Sequence, residues 1–242
     1  MAKQAGLAQK FFQGAFDISG DVSAISSWST PVAVHEVTGI DASAVERVQG
    51  LVGGSVGYNV FFNDVAGAAH LASRVPTAAA PMTWAIGQTV GDTAGMIASV
   101  ATNYDASRSA DGALSFDITA MNNATPPVWG VMLTPGAKTD TGAANGATLD
   151  QSAATAAGAE MILHVTSFTG TNFTATVQDS ANGTSWGTLK AFTQVTDVGS
   201  ERITIAGEVL RYVRVISAGT FNPVTFSCSF RRGAATDRTA YA

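Results

Sequence analysis

The chain has 242 residues, a formal charge of -5 and only 13% charged residues, where an average soluble protein carries roughly 25%. Such a length buries one large core or two smaller ones, and the charge deficit predicts a surface coated with Ser, Thr, Asn and Gly or hidden in an assembly. Lys and Arg are scattered apart from Arg231 and Arg232, which excludes a basic stripe for gripping phosphates. DNA meeting this protein is expected to slide past it.

The N-terminus, MAKQAGLAQKFFQGAF, places Lys10 inside what a signal peptide would need as an apolar run, so it is not expected to be one. Nowhere do about 18 apolar residues follow one another, which excludes a helical membrane span. Phe12, Gly14, Phe16 and Ile18 alternate with Phe11, Gln13, Ala15 and Asp17 and predict one strand ending at the turn Ser19, Gly20, Asp21. A second alternating run holds Val56, Tyr58, Val60 and Phe62. Asn63 and Asp64 then offer N-caps for a helix whose apolar stripe is Val65, Ala68, Ala69, Leu71 and Ala72, stopped by Val75 and Pro76.

Strands resume with Met96, Ala98 and Val100, and, after the turn signal Asp111-Gly112, with Leu114, Phe116 and Ile118 alternating with Ser115, Asp117 and Thr119. The run Asn122 to Pro127 (NNATPP) is the sharpest break, so the chain divides into units 1–124 and 125–242, with the strand Val128 to Leu133 able to join either. Residues 134–145 read as a further loop. Beyond them Met161, Leu163 and Val165; Phe173, Ala175 and Val177; Ile203 and Ile205; Leu210, Tyr212, Arg214 and Ile216; and Val224 to Phe230 predict separate strands. The turn clusters at 182–185 and 217–220 are spaced as in a β-sandwich or jelly roll. Cys228 lies on one face with Val224, Phe226 and Phe230, where a lone thiol packs as a small hydrophobe.

Residues 50–63, GLVGGSVGYNVFFN, contain a G-x-S-x-G pattern centred on Ser55. A nucleophile elbow needs a strand before the serine and a helix after it; here an alternating strand follows. His35, His70 and His164 sit in no loop motif after an acid, His35-Glu36 lacks the second histidine of a zinc helix, and Asp105, Asp111 and Asp117 lack calcium-loop spacing. The glycines instead predict a tight turn or close backbone approach. No catalytic residue, cofactor or metal is expected.

The N-terminal half, with VHEVTGIDAS at 34–43 leading into ERVQGLVGGSVGYNVFFN, then a helix, then GMIASVATNYDASRSADGALSFDITAM, resembles the tail tube (major tail) proteins of long-tailed phages, particularly those infecting actinobacteria. The C-terminal stretches WGVMLTPGAKTDTGAANGATLD, HVTSFTGTNFTATVQDSANGTSW and RYVRVISAGTFNPVTFSCSFRR resemble the β-sandwich appended to such subunits, which decorates the outside. The resemblance implies a mainly β chain: a tail-tube β-sandwich or barrel with one short helix, then a second β-sandwich or jelly roll. It implies hexameric rings stacked into a tube in the virion, with tape-measure and other tail proteins as partners and double-stranded DNA passing through unbound. Ser115, Asp117 and Thr119 become candidates for the lumen, and Asp41, Glu46, Arg47 and Gln49 for a ring-stacking loop. The piece FTATVQDSANGTSWGTL, followed by LRYVRV, is also similar to carbohydrate-binding jelly rolls. That likeness makes Trp186, Tyr212 and Arg214 a candidate glycan site, with Trp186 as a core anchor the other reading.

Overall fold

A strand buries one face at a time, and in this chain burial follows the alternation of apolar side chains through most strands. The computed structural model describes residues 8–65, 69–74 and 78–233, and these are mainly β with one short helix. The first part runs β1 (Lys10–Gln13), β2 (Phe16–Asp17), β3 (Val22–Ser29), β4 (Val32–Glu36), β5 (Arg47–Val52), β6 (Ser55–Phe61), α1 (Ala69–Ser73), β7 (Ala80–Ala85), β8 (Thr93–Ala101), β9 (Asp105–Arg108) and β10 (Leu114–Asn122). There follow β11 (Val128–Met132), β12 (Lys138–Asp140), β13 (Ala144–Asn145), β14 (Leu149–Asp150), β15 (Ala159–Ser180), β16 (Gly187–Ala191), β17 (Gly199–Ile205) and β18 (Tyr212–Arg232).

Strand β10 organises the first part. One of its edges pairs with β6, and the other pairs with β9 and then with the end of β8. Strand β3 adds to the far edge of β6, and β8 carries the sheet on to β7, β1 and β11. Phe11, Tyr58, Met82, Ile97, Phe116 and Ile118 belong to the core of this part. In the second part β15 and β18 lie antiparallel along almost their whole length; β17 and β16 add to the two halves of β15. Their core holds Phe173, Phe226, Phe230 and the buried Cys228, whose thiol pKa is pushed up by burial.

The two cores share backbone. Strand β11 pairs with β8 from Val128 to Val131 and with β18 at Val131 and Met132. Behind this ladder the His164 ring is fully buried and stacked on Phe12. Its Nδ1 lies 2.8 Å from the Gly14 carbonyl and its Nε2 2.9 Å from Thr83 Oγ1, itself 3.1 Å from Ser229 Oγ. The carbonyl can only accept, so Nδ1 carries the proton and Nε2 accepts from Thr83.

Several elements differ from the sequence-based expectation. The first strand is a hairpin, turning at Gly14 with φ of +57° so that Gln13 pairs with Phe16; alternation had been read across the turn. Among the described residues helix α1 spans Ala69–Ser73, and the Ala69 N–H donates to Asp21 Oδ2 at 3.0 Å. Asn63 Oδ1 accepts from the Val65 amide; Val65 is exposed, Ala69 and Ala72 are buried, and residues 66–68, between the expected caps and Ala69, lie outside the described residues with Val75 and Pro76. The expected loop at 134–145 contains β12 and β13, both paired to β18. The two pairs of strands expected at 161–177 and 210–230 are each one long strand. Strand β18 runs on through Gly219 where a turn was expected: at φ of +126° the missing Cβ leaves room for the Asn172 carbonyl, 2.4 Å from where that atom would sit.

Burial lowers the His164 pKa from its ordinary 6.5 to about 4. Above pH 6.5 the ring is neutral folded or unfolded, while between 6.5 and 4 only the unfolded chain takes up the proton, so stability falls with pH by roughly 3 kcal/mol in all. Urea unfolding from pH 7 to 4 is expected to show this decline in the wild type and to lack that component in His164→Gln. An imidazole resonance titrating near 6.5 in the folded protein would contradict it.

Candidate functional site: an assembly surface

The order β3, β6, β10, β9 makes a four-stranded antiparallel sheet. Its inner face presents Val22, Ile25, Val56, Tyr58, Val60, Phe116 and Ile118 to the core. The outer face is hydroxyl- and amide-rich. Ser115, Asp117 and Thr119 stand on it opposite Phe61, Asn59 and Gly57 of β6, and Asp105 and Ser107 lie across from Asp117 and Ser115. A polar row crosses the strands: Ser23 Oγ donates to Asn59 Oδ1 at 2.7 Å, Asn59 Nδ2 donates to Asp117 Oδ1 at 2.7 Å, and the Ser107 and Ser115 hydroxyls are 3.1 Å apart. The one cation in the four strands, Arg108, pairs with Leu114 and so belongs to the opposite parity.

Strand β3 went unread in the sequence because Val22, Ile25 and Trp28 recur every third residue. Two bulges supply the extra residues, one between Val22 and Ala24 and one between Ile25 and Ser27, so each apolar side chain still turns inward. Ser23, Ala24, Ser26 and Ser27 are left exposed. Within the described residues β3 pairs only with β6 and β9 only with β10, so both outer edges of this sheet are unpaired.

Beyond Ser29 and Ser55 the same two strands continue as an arm. Strands β4 and β5 pair with each other and with no other strand, and most of their side chains are exposed. Of the predicted stacking residues, Asp41 and Glu46 lie in the tip loop, while Arg47 and Gln49 are on β5 opposite Glu36 and Val34. Thr38 ties the tip together by accepting from the Glu46 amide at 3.0 Å.

The G-x-S-x-G stretch is the base of this arm. Ser55 opens β6, paired with Ser29 on one side and Met121 on the other, so it occupies a strand and not a strand-to-helix turn. The histidines are engaged elsewhere: His164 as above, His70 with Tyr104 at 2.6 Å, and His35 beside Gly50 on the arm. Gly54 is needed for space, since a Cβ there would stand 1.9 Å from Pro127 Cδ. Close by, Trp28, Trp84 and Trp129 meet with ring centroids 5.5 to 5.9 Å apart over Gly95, where a Cβ would fall 2.7 Å from the Trp28 indole. The expected close backbone approach is what these glycines provide.

In the second part Arg214 meets Trp186, and Tyr212 stands two residues from Arg214 on the same face of β18. The Arg214 guanidinium lies 4.2 Å from the Trp186 ring centre and is held by two bonds to Gln178 Oε1, while Arg211 covers Tyr212 at 4.8 Å and forms a two-pronged pair with Asp150. Trp186 is half-buried and is not part of the core, so the anchor reading fails: alternation on β18 sends Val213 and Val215 inward and Tyr212 and Arg214 outward.

No family model matches the chain, and no curated protein matches it. Among solved structures it is similar to the SPP1 Dit (gp 19.1) protein, described as a paradigm of hub adsorption apparatus in Gram-positive infecting phages. The identity is 9% and the TM-score 0.33, over 93% of this chain and 99% of that one. So low a score assigns neither a fold nor a role.

Gly54→Ala is expected to destabilise the protein by about 1–3 kcal/mol, because the new methyl must displace the Pro127 ring. Urea denaturation measures this; an unchanged midpoint would show that the arm base is not packed against residue 127.

Proposed function

We propose that this chain is a structural virion protein, the subunit of a phage tail tube, assembled as stacked hexameric rings that conduct DNA. The observation that carries the reading is the β3–β6–β10–β9 sheet: apolar inside, free of cations outside, where a polar row runs between the exposed Phe61 and Met121, and with both edges unpaired within the described residues. Unpaired edges are templates for further pairing, and β3 has neither Lys nor Pro to block it. Because the four strands alternate in direction, β9 of one copy meets β3 of the next antiparallel, and the alternation continues around a closed ring. Six copies contribute 6 × 4 = 24 strands, a cylinder of about 24 Å radius at ~4.8 Å spacing and ~40° tilt, wider than the roughly 16-stranded barrels that already leave an aqueous channel.

In this reading Ser115, Asp117 and Thr119 face the lumen with Asn59, Ser107 and Asp105. Their hydroxyls, amides and carboxylates repel or ignore phosphates, so DNA and a tape-measure protein pass without being held. Unit 1–124 builds the tube and carries Asp41, Glu46, Arg47 and Gln49 on an arm toward the neighbouring ring. Unit 125–242, joined to it through β11, decorates the outside. The stacking of Arg214 on Trp186, with Tyr212 on the same face of β18, favours a second reading, saccharide binding by that outer unit; Trp186→Ala is then expected to abolish glycan-array binding while the fold persists.

The ring is tested by disulfide trapping, which is clean because the native Cys228 is buried. The doubly substituted protein with Ser26→Cys on β3 and Ser107→Cys on β9 should give a ladder of covalent oligomers on oxidation, and each single variant should stay monomeric. In parallel, electron microscopy of the wild type over a concentration series should show hollow tubes or six-fold rings. Covalent dimers alone would mean a two-fold contact between like edges and would overturn the ring; monomers at every concentration with no ladder would overturn the assembly.

A further inference from the structure

Two guanidinium groups near the start of β18 lie over aromatic rings, and the two are answered differently. Arg211 covers Tyr212 and gives its Nε and Nη2 protons to the two oxygens of Asp150, at 2.8 and 2.6 Å. That pair is closed, and the bonds from Arg211 hold the Asp150 carboxyl down at about 2. Arg214 covers Trp186 at 4.2 Å but gives Nε and Nη2 to one neutral oxygen, Gln178 Oε1, at 2.9 and 2.8 Å. Among the described residues it has no carboxylate partner. Asp179, the residue after Gln178, is buried and accepts from the Leu210 amide at 2.9 Å.

A guanidinium carries five N–H groups in one rigid plane. Gln178 takes two of those on Arg214, on the Nε side, and leaves the edge formed by Nη1 and the second proton of Nη2. Such an edge is a fork that matches the two oxygens of a carboxylate. Gln178 adds to it, because only its carbonyl oxygen is spent and its amide nitrogen keeps two donors. Both groups are already held. Gln178 stands directly across the ladder from Arg214, and the turn before Trp186 is fixed by Asn182 Oδ1, which accepts from the Thr184 and Ser185 amides at 2.9 Å each. Groups held in this way lose little freedom on binding. Tyr212 is covered instead: Arg211 lies over its ring, and a Cβ on Gly183 would stand 3.6 to 3.7 Å from three of its ring carbons. The half-buried Trp186 is thus the ring left to meet a ligand.

We infer that this site takes an acidic saccharide, its carboxylate on the open edge of Arg214, a hydroxyl on the Gln178 amide nitrogen and its ring against the exposed part of Trp186. The inference rests on the saccharide reading of the outer unit and adds the charge of the ligand. The molecule supplies its own precedent: where the neighbouring guanidinium, Arg211, has a partner, that partner is a carboxylate bound by two parallel bonds. A neutral sugar would leave the charge on Arg214 unanswered.

A glycan array carrying neutral, phosphorylated, uronic-acid and sialic-acid sugars, probed with the full chain, tests this. The carboxylated sugars are expected to bind, and calorimetry should give the best of them an affinity roughly tenfold or more above that of its methyl ester, which keeps the ring and removes the charge. Arg214→Lys keeps the positive charge and loses the fork, so with wild-type thermal unfolding it should bind acid and ester alike. Equal affinity for acid and ester in the wild type, a preference for acid that survives in Arg214→Lys, or selection of phosphorylated over carboxylated sugars would each overturn the inference and leave the saccharide reading in place. An array with no bound sugar of any kind would overturn both.

Discussion

Every peptide group in a strand needs a partner, and β11 meets this demand on both of its sides: β8 takes one edge and β18 the other. That five-residue strand makes a continuous backbone connection between two hydrophobic cores that share few side chains. Met96, Val128 and Ile162 form a small cluster of their own beside it, and Ala85, Ala94 and Met132 another. With His164, Thr83 and Ser229 bonded behind the ladder, the two units meet through structure on both backbone and side-chain levels.

The same demand goes unmet at the free edges of the first part. Strands β3 and β9 expose their outer edges, the arm exposes both of its own, and the arm's aliphatic side chains have no cover within the copy. A monomeric protein would be expected to blunt such edges and to break up such patches.

Period-two alternation exposed most strands in the sequence, and it correctly placed Ser115, Asp117 and Thr119 opposite a buried face. It failed where backbone geometry adds or bends residues without changing composition. Bulges gave β3 a helix-like spacing of three; a tight turn at Gly14 left alternation running through a hairpin; Gly219 carries on as one strand what read as two. The stacking of Arg214 on Trp186 was only half legible. Alternation on β18 puts Tyr212 and Arg214 on one side, but Trp186 reaches them from beyond the β15 to β16 turn, which no local pattern encodes.

By itself the sequence determined the class of fold and the structural use of the glycines around Ser55, because hydrophobic period and backbone freedom are local properties. Only the tertiary structure decided that, among the described residues, one sheet keeps two free edges, that Gly54 lies under Pro127, that His164 is buried between the two parts of the chain, and that half of the exposed large apolar residues lie on the arm. Each of these depends on which distant strands pair, and in antiparallel sheets that choice is made by burial and register across the whole chain.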